Sequence, residues 1–153
     1  MTFHPGELEM QRRADVQGMA AKVGRIIQDS IPEAAADFLE QQRFVVLGHR
    51  DEAGQVRASL AAGPPGFVRV RDPRTVEIDG PAIPPGEAGL LAIDFDGRRR
   101  MRLNGRLDSR PGGIVLRASE VYSNCPKYIQ RRRILEEQSE RPGPSQRSAT
   151  LTP

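Results

Sequence analysis

The stretch GLLAIDFDGRRRMRLNGRL, residues 89–107, decides the fold class of this chain. Its first part is an apolar run typical of a buried strand, and its last part alternates basic with apolar residues, as a strand with one solvated face does. The dipeptide Asp96-Gly97 between the two parts favours a tight turn. The stretch therefore predicts a β-hairpin.

Short β-segments of the same kind fill most of the chain from residue 44 to residue 122. They read FVVLGH, QVRASL, FVRVR, VEI and IVLRASEVY, and turn sequences such as DEAG, GPPG and DPRT separate them. Together with the hairpin they make about seven segments at close spacing, which favours a barrel or a sandwich over alternating βαβ units.

Helices are predicted on both sides of this β region. One apolar stripe at helical spacing is formed by Val16, Met19, Val23, Ile26 and Ile27. A second helix is predicted from Ser30 as cap, Pro32 in the first turn and Glu33 completing a capping box. The stretch PKYIQRRRILEE predicts a third helix, opened by Pro126. The expected fold class is mainly β with flanking helices (α+β).

Composition narrows the possible functions. The length of 153 residues suits one domain with a tail, and 37% hydrophobic residues with 5% aromatics allow a lean core. The 23 Lys and Arg exceed the 20 Asp and Glu only slightly, giving a net charge of +3. Binding of an anion must therefore depend on local clusters, and the weak overall charge argues against nucleic acid as a partner.

The sequence also argues against a metal site, an internal disulfide and a membrane-spanning segment. The single cysteine, Cys125, cannot form an internal disulfide, and it lies far in sequence from His4 and His49, so a metal site is not expected. No apolar run approaches the roughly 20 residues that a membrane span needs. The polar N-terminus lacks a signal-peptide core, so a soluble, cytoplasmic protein is expected.

The segment RRRMRLNGR is the first candidate for an anion site. In a strand, Arg98, Arg100 and Arg102 share one face, and guanidinium forks match phosphate oxygens. The alternative is a solvated face whose arginines pair with acids such as Asp94 and Asp96. Spacing alone favours the alternative.

The segment QVRASL is the second candidate. Val56, Ala58 and Leu60 lie on one face, and Arg57 and Ser59 lie on the other. An arginine with a hydroxyl two residues away can hold a phosphate. The alternative is an edge strand between two turns without a ligand, which explains the pattern equally well.

The segment YSNCPKYIQRR, residues 122–132, holds a third group of candidates. Cys125 precedes a predicted helix start, where a thiol can become reactive, but a free cysteine is more often a small buried hydrophobe. Lys127 and the arginines at 131–133 form a basic cluster that is either a solvated helix face or an anion site. We interpret the segment as a strand-to-helix junction with Cys125 in packing.

Several of these segments, in this order, resemble the pyridoxamine 5′-phosphate oxidase-like proteins, and among them the predicted flavin-nucleotide-binding branch. The segments are FHPGELEMQRR, IPEAAADFLEQQRFVVLG, ASLAAGPPGFVRVRDPRTVEI, GLLAIDFDGRRRMRLNGR and YSNCPKYIQRR. The resemblance implies a split β-barrel that forms a homodimer and binds flavin mononucleotide (FMN), or a deazaflavin, between subunits. It also implies a second barrel C-terminal to this chain.

The resemblance also implies a site and domain bounds. The matching cofactor-binding residues are Arg57, Ser59, Leu60, Arg100, Arg102 and Lys127, with Ser59 as the phosphate hydroxyl and Arg100 reaching the flavin ring. Residues 1–42 would be a helical segment packing on the barrel, 43–138 the split barrel with its closing helix, and 139–153 a disordered tail or linker.

One departure from the family leaves two functions open. Family members carry a helix and basic or amide residues where this chain has only DGPAIPPGEA, residues 79–88. The first hypothesis is an FMN-dependent oxidoreductase acting on an unassigned small molecule, with no catalytic residue assigned. The second is a non-catalytic module for dimerisation or partner docking that has lost the cofactor. Nucleic-acid binding through the last helix is a distant third.

Overall fold

The computed structural model describes residues 3–80 and 82–134. Its elements are α1 (Pro5–Arg13), α2 (Gln17–Gly24), α3 (Glu33–Glu40), β1 (Phe44–Arg50), β2 (Val56–Ala62), β3 (Val68–Asp72), β4 (Thr75–Asp79), β5 (Gly86–Asp94), β6 (Arg99–Arg110) and β7 (Gly113–Ser123). The chain is thus mainly β with flanking helices, as its alternating segments predict.

The strands form one sheet of seven strands in the order β2-β1-β5-β6-β7-β4-β3. Each pair of neighbouring strands is antiparallel. The two longest strands, β6 and β7, lie in the middle of the sheet. Strands β2 and β3 are its two edges. The predicted hairpin is β5–β6, which pairs Gly86 with Leu107 and Asp94 with Arg99.

One face of the sheet holds the hydrophobic core. Val45, Leu47, Leu90, Leu103 and Val121 are almost completely buried on this face. Helix α3 covers it with two further buried side chains, Phe38 and Leu39. Glu40 fixes α3 to β3, because its carboxylate accepts from the amide of Val70 and its carbonyl accepts from the amide of Gly66.

The N-terminal helices contribute nothing to this core. Neither α1 nor α2 contains a buried residue. The apolar stripe predicted for this region is therefore exposed at Val16, Met19, Val23 and Ile26. A β-bridge between Gln28 and Val121 joins the segment after α2 to the sheet.

The predicted start of the second helix is wrong. Helix α3 begins at Glu33 with Pro32 as its N-cap, and no side chain caps it. Ile31 precedes a proline and is disfavoured in helical backbone, and its amide donates to the carbonyl of Pro73. Ser30 therefore lies outside the helix and does not cap it.

The predicted closing helix is also wrong over the residues that the structure describes. After β7 the chain makes a turn, in which Ile129 donates to the carbonyl of Pro126, and it then continues without helix to residue 134. Arg131 and Arg133 both reach back to Asp96 in the β5–β6 turn, which holds this segment against the sheet. Residues 135–138 of this prediction and the predicted tail at 139–153 lie outside the described residues.

The segment predicted to be irregular at residues 79–88 is shorter than expected. Strand β5 already begins at Gly86, because Gly86 and Glu87 pair with Leu107 and Arg106 of β6. Only about half a dozen residues then separate β4 from β5, which is within the usual length of a connection. The family's additional helix has no counterpart among the described residues of this connection.

Candidate functional site

The register of the sheet places the two predicted arginine groups on opposite faces. Side chains of directly paired residues share a face. Leu60 pairs with Val46, Val46 with Leu91, and Leu91 with Arg102. We call the face that carries these four side chains the outer face. The next residues along the strands, which include Ser59 and Leu103, face the core. Arg57 and Ser59 therefore do not converge with Arg100 and Arg102 within one copy of the chain.

Arg57 and Ser59 already have partners inside the chain. The Nε atom of Arg57 lies 2.7 Å from Oδ2 of Asp51. The hydrogen bond from Arg57 and the amide of Gln55 lower the pKa of the Asp51 carboxyl. The hydroxyl of Ser59 lies 2.8 Å from Nε2 of His49.

Arg100 and Arg102 differ from most arginines in the described ranges. The acids proposed as their partners are occupied elsewhere, since Asp94 binds Arg99 and Asp96 binds Arg131 and Arg133. Within residues 3–80 and 82–134, the side chains of Arg100 and Arg102 have no hydrogen-bond or ion-pair partner, and Nε of Arg100 is buried. Two positive charges therefore stand on the outer face without compensation from this part of the chain.

An apolar platform lies beside these arginines on the outer face. It consists of the partly exposed side chains Phe44, Val46, Leu60, Leu91 and Ile93. Leu60 is 62% exposed, although it lies in the middle of a strand. A contiguous apolar surface next to uncompensated cations is suited to a ligand that combines a flat apolar part with an anionic group.

A shallow trough crosses the outer face at two glycines. Gly48 and Gly89 pair directly, so neither strand presents a side chain there. The trough has a volume of about 450 Å³, and at its far side Asn104 donates to Glu120 over 2.8 Å. A glycine inside a strand often marks a close approach of a ligand or another backbone, and this is the signal that the sequence analysis overlooked.

Lys127 lies in the turn that follows β7. The amide of Asn124 donates to the carbonyl of Arg100, which fixes the start of this turn beside the arginine. The Nζ atom of Lys127 lies 5.5 Å from the ring centroid of Tyr128, and both side chains are exposed. Cys125 is exposed as well, so the interpretation of this cysteine as a packing residue is wrong.

The described part of the chain shows neither a candidate metal cluster nor a candidate membrane-spanning helix. Residues 3–80 and 82–134 contain no group of three or more His, Cys, Asp or Glu side chains that could hold a metal ion. In the same ranges, no helix is long and apolar enough to cross a membrane.

Comparison with known proteins gives one structural similarity. No protein-family model and no curated protein matches the sequence. The fold matches a crystal structure of a tagged variant of HupZ from Group A Streptococcus with a TM-score of 0.48 and 11% identity, over 61% of this chain and 99% of the HupZ chain. A similarity of this degree assigns neither a family nor a function.

Proposed function

We propose that this chain is a split-barrel protein that binds FMN as a homodimer and uses the flavin as an oxidoreductase cofactor. The observation that carries the proposal is the pairing of an apolar platform with Arg100 and Arg102, two arginines without a carboxylate partner in the described ranges. FMN combines a flat ring with a phosphate, which are the two parts that such a surface accommodates.

The distribution of charge on the outer face favours one orientation of a bound flavin. Glu87, Glu120 and Arg50 line the glycine trough, so the net charge of these three side chains is negative and would repel a phosphate there. Asn104, at the trough, and Arg100 are four residues apart on β6, or roughly 14 Å at the usual rise of a strand. The ring would therefore lie over Gly48 and Gly89, and the phosphate would lie at the arginine end.

This orientation assigns a part of the flavin to each side chain of the outer face. Arg102 and Arg100 bind the phosphate, Leu60 contacts the ribityl chain or the ring, and the two glycines let the ring approach the backbone. FMN, when bound, supplies the electron-transfer chemistry itself. Arg57, Ser59 and Lys127 stay predicted ligands, and the first two would have to exchange their present partners to bind phosphate.

A homodimer is part of the proposal because one copy leaves the platform open. Strand β2 is an edge strand, and Val56 and Leu60 on its outer face are 77% and 62% exposed. A second copy covering this strand would bury the apolar side chains and enclose the flavin between two sheets.

The non-catalytic docking module stays as the second candidate. Arg57 and Ser59 are used within the chain, and the connection between β4 and β5 lacks the residues that complete the phosphate site in the family. If the platform only holds a second copy, the protein would dimerise without taking up flavin.

Titration with FMN and with riboflavin, which lacks the phosphate, tests the proposal. We expect Arg102→Gln and Arg100→Gln each to weaken FMN binding by roughly tenfold or more, because a hydrogen bond to a charged group contributes about 1.5–3 kcal/mol. Riboflavin binding should be unchanged. Arg106→Gln is the matched control, since Arg106 lies on the same strand and face but is 3.9 Å from Glu87.

Two outcomes decide between the candidates. A purified protein that absorbs at roughly 450 nm, or takes up added FMN more tightly than riboflavin, supports the flavin proposal. A colourless dimer that binds neither compound would favour the docking module. Equal losses of FMN affinity in Arg102→Gln and Arg106→Gln would contradict the assignment of the phosphate to Arg102.

A further inference from the structure

A second cavity lies at the start of β6, and the glycine trough lies farther along the same strand, at Asn104. It is bounded by the first turn of α3, the start of β6 and the end of β7, and its volume is about 390 Å³. This size falls within the range of small-molecule sites. Its apolar wall consists of Pro32, Ala34, Ala35, Phe38, Met101 and Pro126.

The polar part of this cavity is positively charged. Arg98, Arg99 and Arg100 line it, together with Ser123 and Asn124, and no carboxylate of residues 3–80 or 82–134 does. Three other cavities formed by the described residues contain both signs of charge. Arg99 and Asp94 occur together in one, Arg50 and Glu87 in the trough, and Arg69 and Asp79 in a third.

The three arginines are not equivalent. Arg99 is neutralised by Asp94 at 2.9 Å, and its guanidinium lies 5.1 Å from the ring centroid of Phe38, so it forms a wall of the cavity. Over the described parts of the chain, the side chains of Arg98 and Arg100 have no hydrogen-bond or ion-pair partner. Their charges are the ones available to a ligand.

Two buried polar atoms of the lining residues are also without partners. Nε of Arg100 is a donor and Oδ1 of Asn124 is an acceptor, and neither has a hydrogen bond within the described ranges. A buried polar atom without a partner destabilises the folded state, and such atoms are rare in folded proteins. Arg100 and Asn124 are distant in sequence but neighbours in space, because the amide of Asn124 donates to the carbonyl of Arg100.

The start of α3 adds to the positive potential. Ala34 and Ala35 of its first turn line the cavity, and Pro32 provides no side-chain cap for the amides of that turn. A helix N-terminus carries a partial positive charge. This charge acts in the same direction as the two arginines.

We propose that this cavity binds a small organic anion with an apolar body. The anionic group binds Arg98 and Arg100, and the apolar body packs against Phe38, Met101 and Ala35. The site is separate from the proposed flavin platform, with which it shares only Arg100, and binding there does not require the flavin.

Titration of the full-length, flavin-free protein with 2-naphthoate and with neutral 2-naphthol tests this proposal. We expect saturable binding of 2-naphthoate, at least about tenfold tighter than that of 2-naphthol, because only the carboxylate engages the arginines. Arg98→Gln should weaken 2-naphthoate binding by roughly fivefold or more and leave 2-naphthol unchanged. Arg106→Gln, outside the cavity, should change neither.

A steric variant provides an independent check. Ala34 is exposed at the mouth of the cavity, so Ala34→Trp should block the cavity while the protein keeps its melting temperature. We expect this variant to lose 2-naphthoate binding and to keep FMN binding, and Arg102→Gln to do the reverse. Equal affinity for both naphthalenes, or unchanged 2-naphthoate binding in Ala34→Trp, would overturn the proposal. Either result is independent of whether flavin binds.

Discussion

The hydroxyl oxygen of Ser59 lies 2.8 Å from Nε2 of His49, and the Nδ1 atom of the same ring lies 3.1 Å from the carbonyl oxygen of Arg50. A carbonyl can only accept, so Nδ1 carries the proton and donates to it. In the neutral ring Nε2 is then an acceptor, and the hydroxyl of Ser59 donates to it. The serine that the family resemblance assigns to phosphate thus holds a buried histidine in place.

Ser59→Ala is expected to destabilise the protein rather than to weaken flavin binding. The substitution leaves Nε2 of His49 without its partner in a site that is mostly buried, which costs about 1–3 kcal/mol. Urea unfolding measures this loss, with the exposed Ser123→Ala as the matched control. If Ser59→Ala instead kept its free energy of unfolding and lost FMN affinity, the serine would be a phosphate ligand.

The strands were predictable from the sequence because alternation is a local signal. The β5–β6 hairpin follows from the apolar run, the tight turn at Asp96 and the alternating basic strand, and the structure forms it in that place. The alternation of β2 also separates Arg57 and Ser59 from Leu60. It does not tell which face is buried, and the structure leaves the apolar face of β2 exposed.

The helix ends and the candidate site depended on contacts distant in sequence. The capping pattern at Ser30 fails because Ile31 binds the β3–β4 turn, and the helix expected at Pro126 fails where Arg131 and Arg133 bind Asp96. Likewise, no local pattern shows that Asp94 pairs with Arg99 and leaves Arg100 free of a partner among the described residues.

Gly48→Ala should weaken the binding of both FMN and riboflavin. A Cβ atom at Gly48 would lie 3.9 Å from the carbonyl oxygen of Gly89, an ordinary contact, so the sheet accommodates it. In the flavin proposal the methyl group raises the ring from the trough at an overpacking cost of about 1 kcal/mol, or roughly fivefold in affinity. Fluorescence titration measures the change.

The control for this prediction is Gly18→Ala in α2, where a Cβ atom meets nothing within 4 Å. It should leave flavin affinity unchanged. If both variants bind flavin as the parent protein does, the ring does not lie over Gly48, and the platform must hold it elsewhere or not at all.

Val56→Glu is expected to convert a dimer into a monomer. Val56 is 77% exposed on the edge strand β2, and a carboxylate buried there by a second copy would lose its hydration. In the monomer the new side chain lies opposite Arg50, its pairing partner on β1, so the fold is retained. Light scattering over a range of concentrations measures the mass.

The matched control is Met19→Glu, which changes another highly exposed apolar residue, 69% exposed on α2. It should leave the mass of the dimer unchanged. Dissociation by Met19→Glu but not by Val56→Glu would move the interface from β2 to the N-terminal helices.

Asp79, at the end of β4, binds one arginine of the edge strand β3 and one at the end of β6. Its carboxylate accepts from Arg69 at 2.6 Å and also binds Arg110. The hydrogen bonds from Arg69 and then Arg110 lower the pKa of Asp79 from 3.8 to about 2. The folded state therefore binds fewer protons than the unfolded state between these two pH values, and its stability rises with pH there.

Asp79→Asn should accordingly destabilise the protein in a pH-dependent manner. The difference in free energy of unfolding from the parent protein should be largest above about pH 4, where the carboxylate is ionised in both states, and should shrink as the pH falls towards 2. Urea unfolding at several pH values measures it, with Asp37→Asn on the exposed face of α3 as control. If the difference in free energy of unfolding instead stays constant from pH 6 to pH 3, its cause is lost packing or hydrogen-bond geometry at the amide. The ion pairs with Arg69 and Arg110 would then not stabilise this edge.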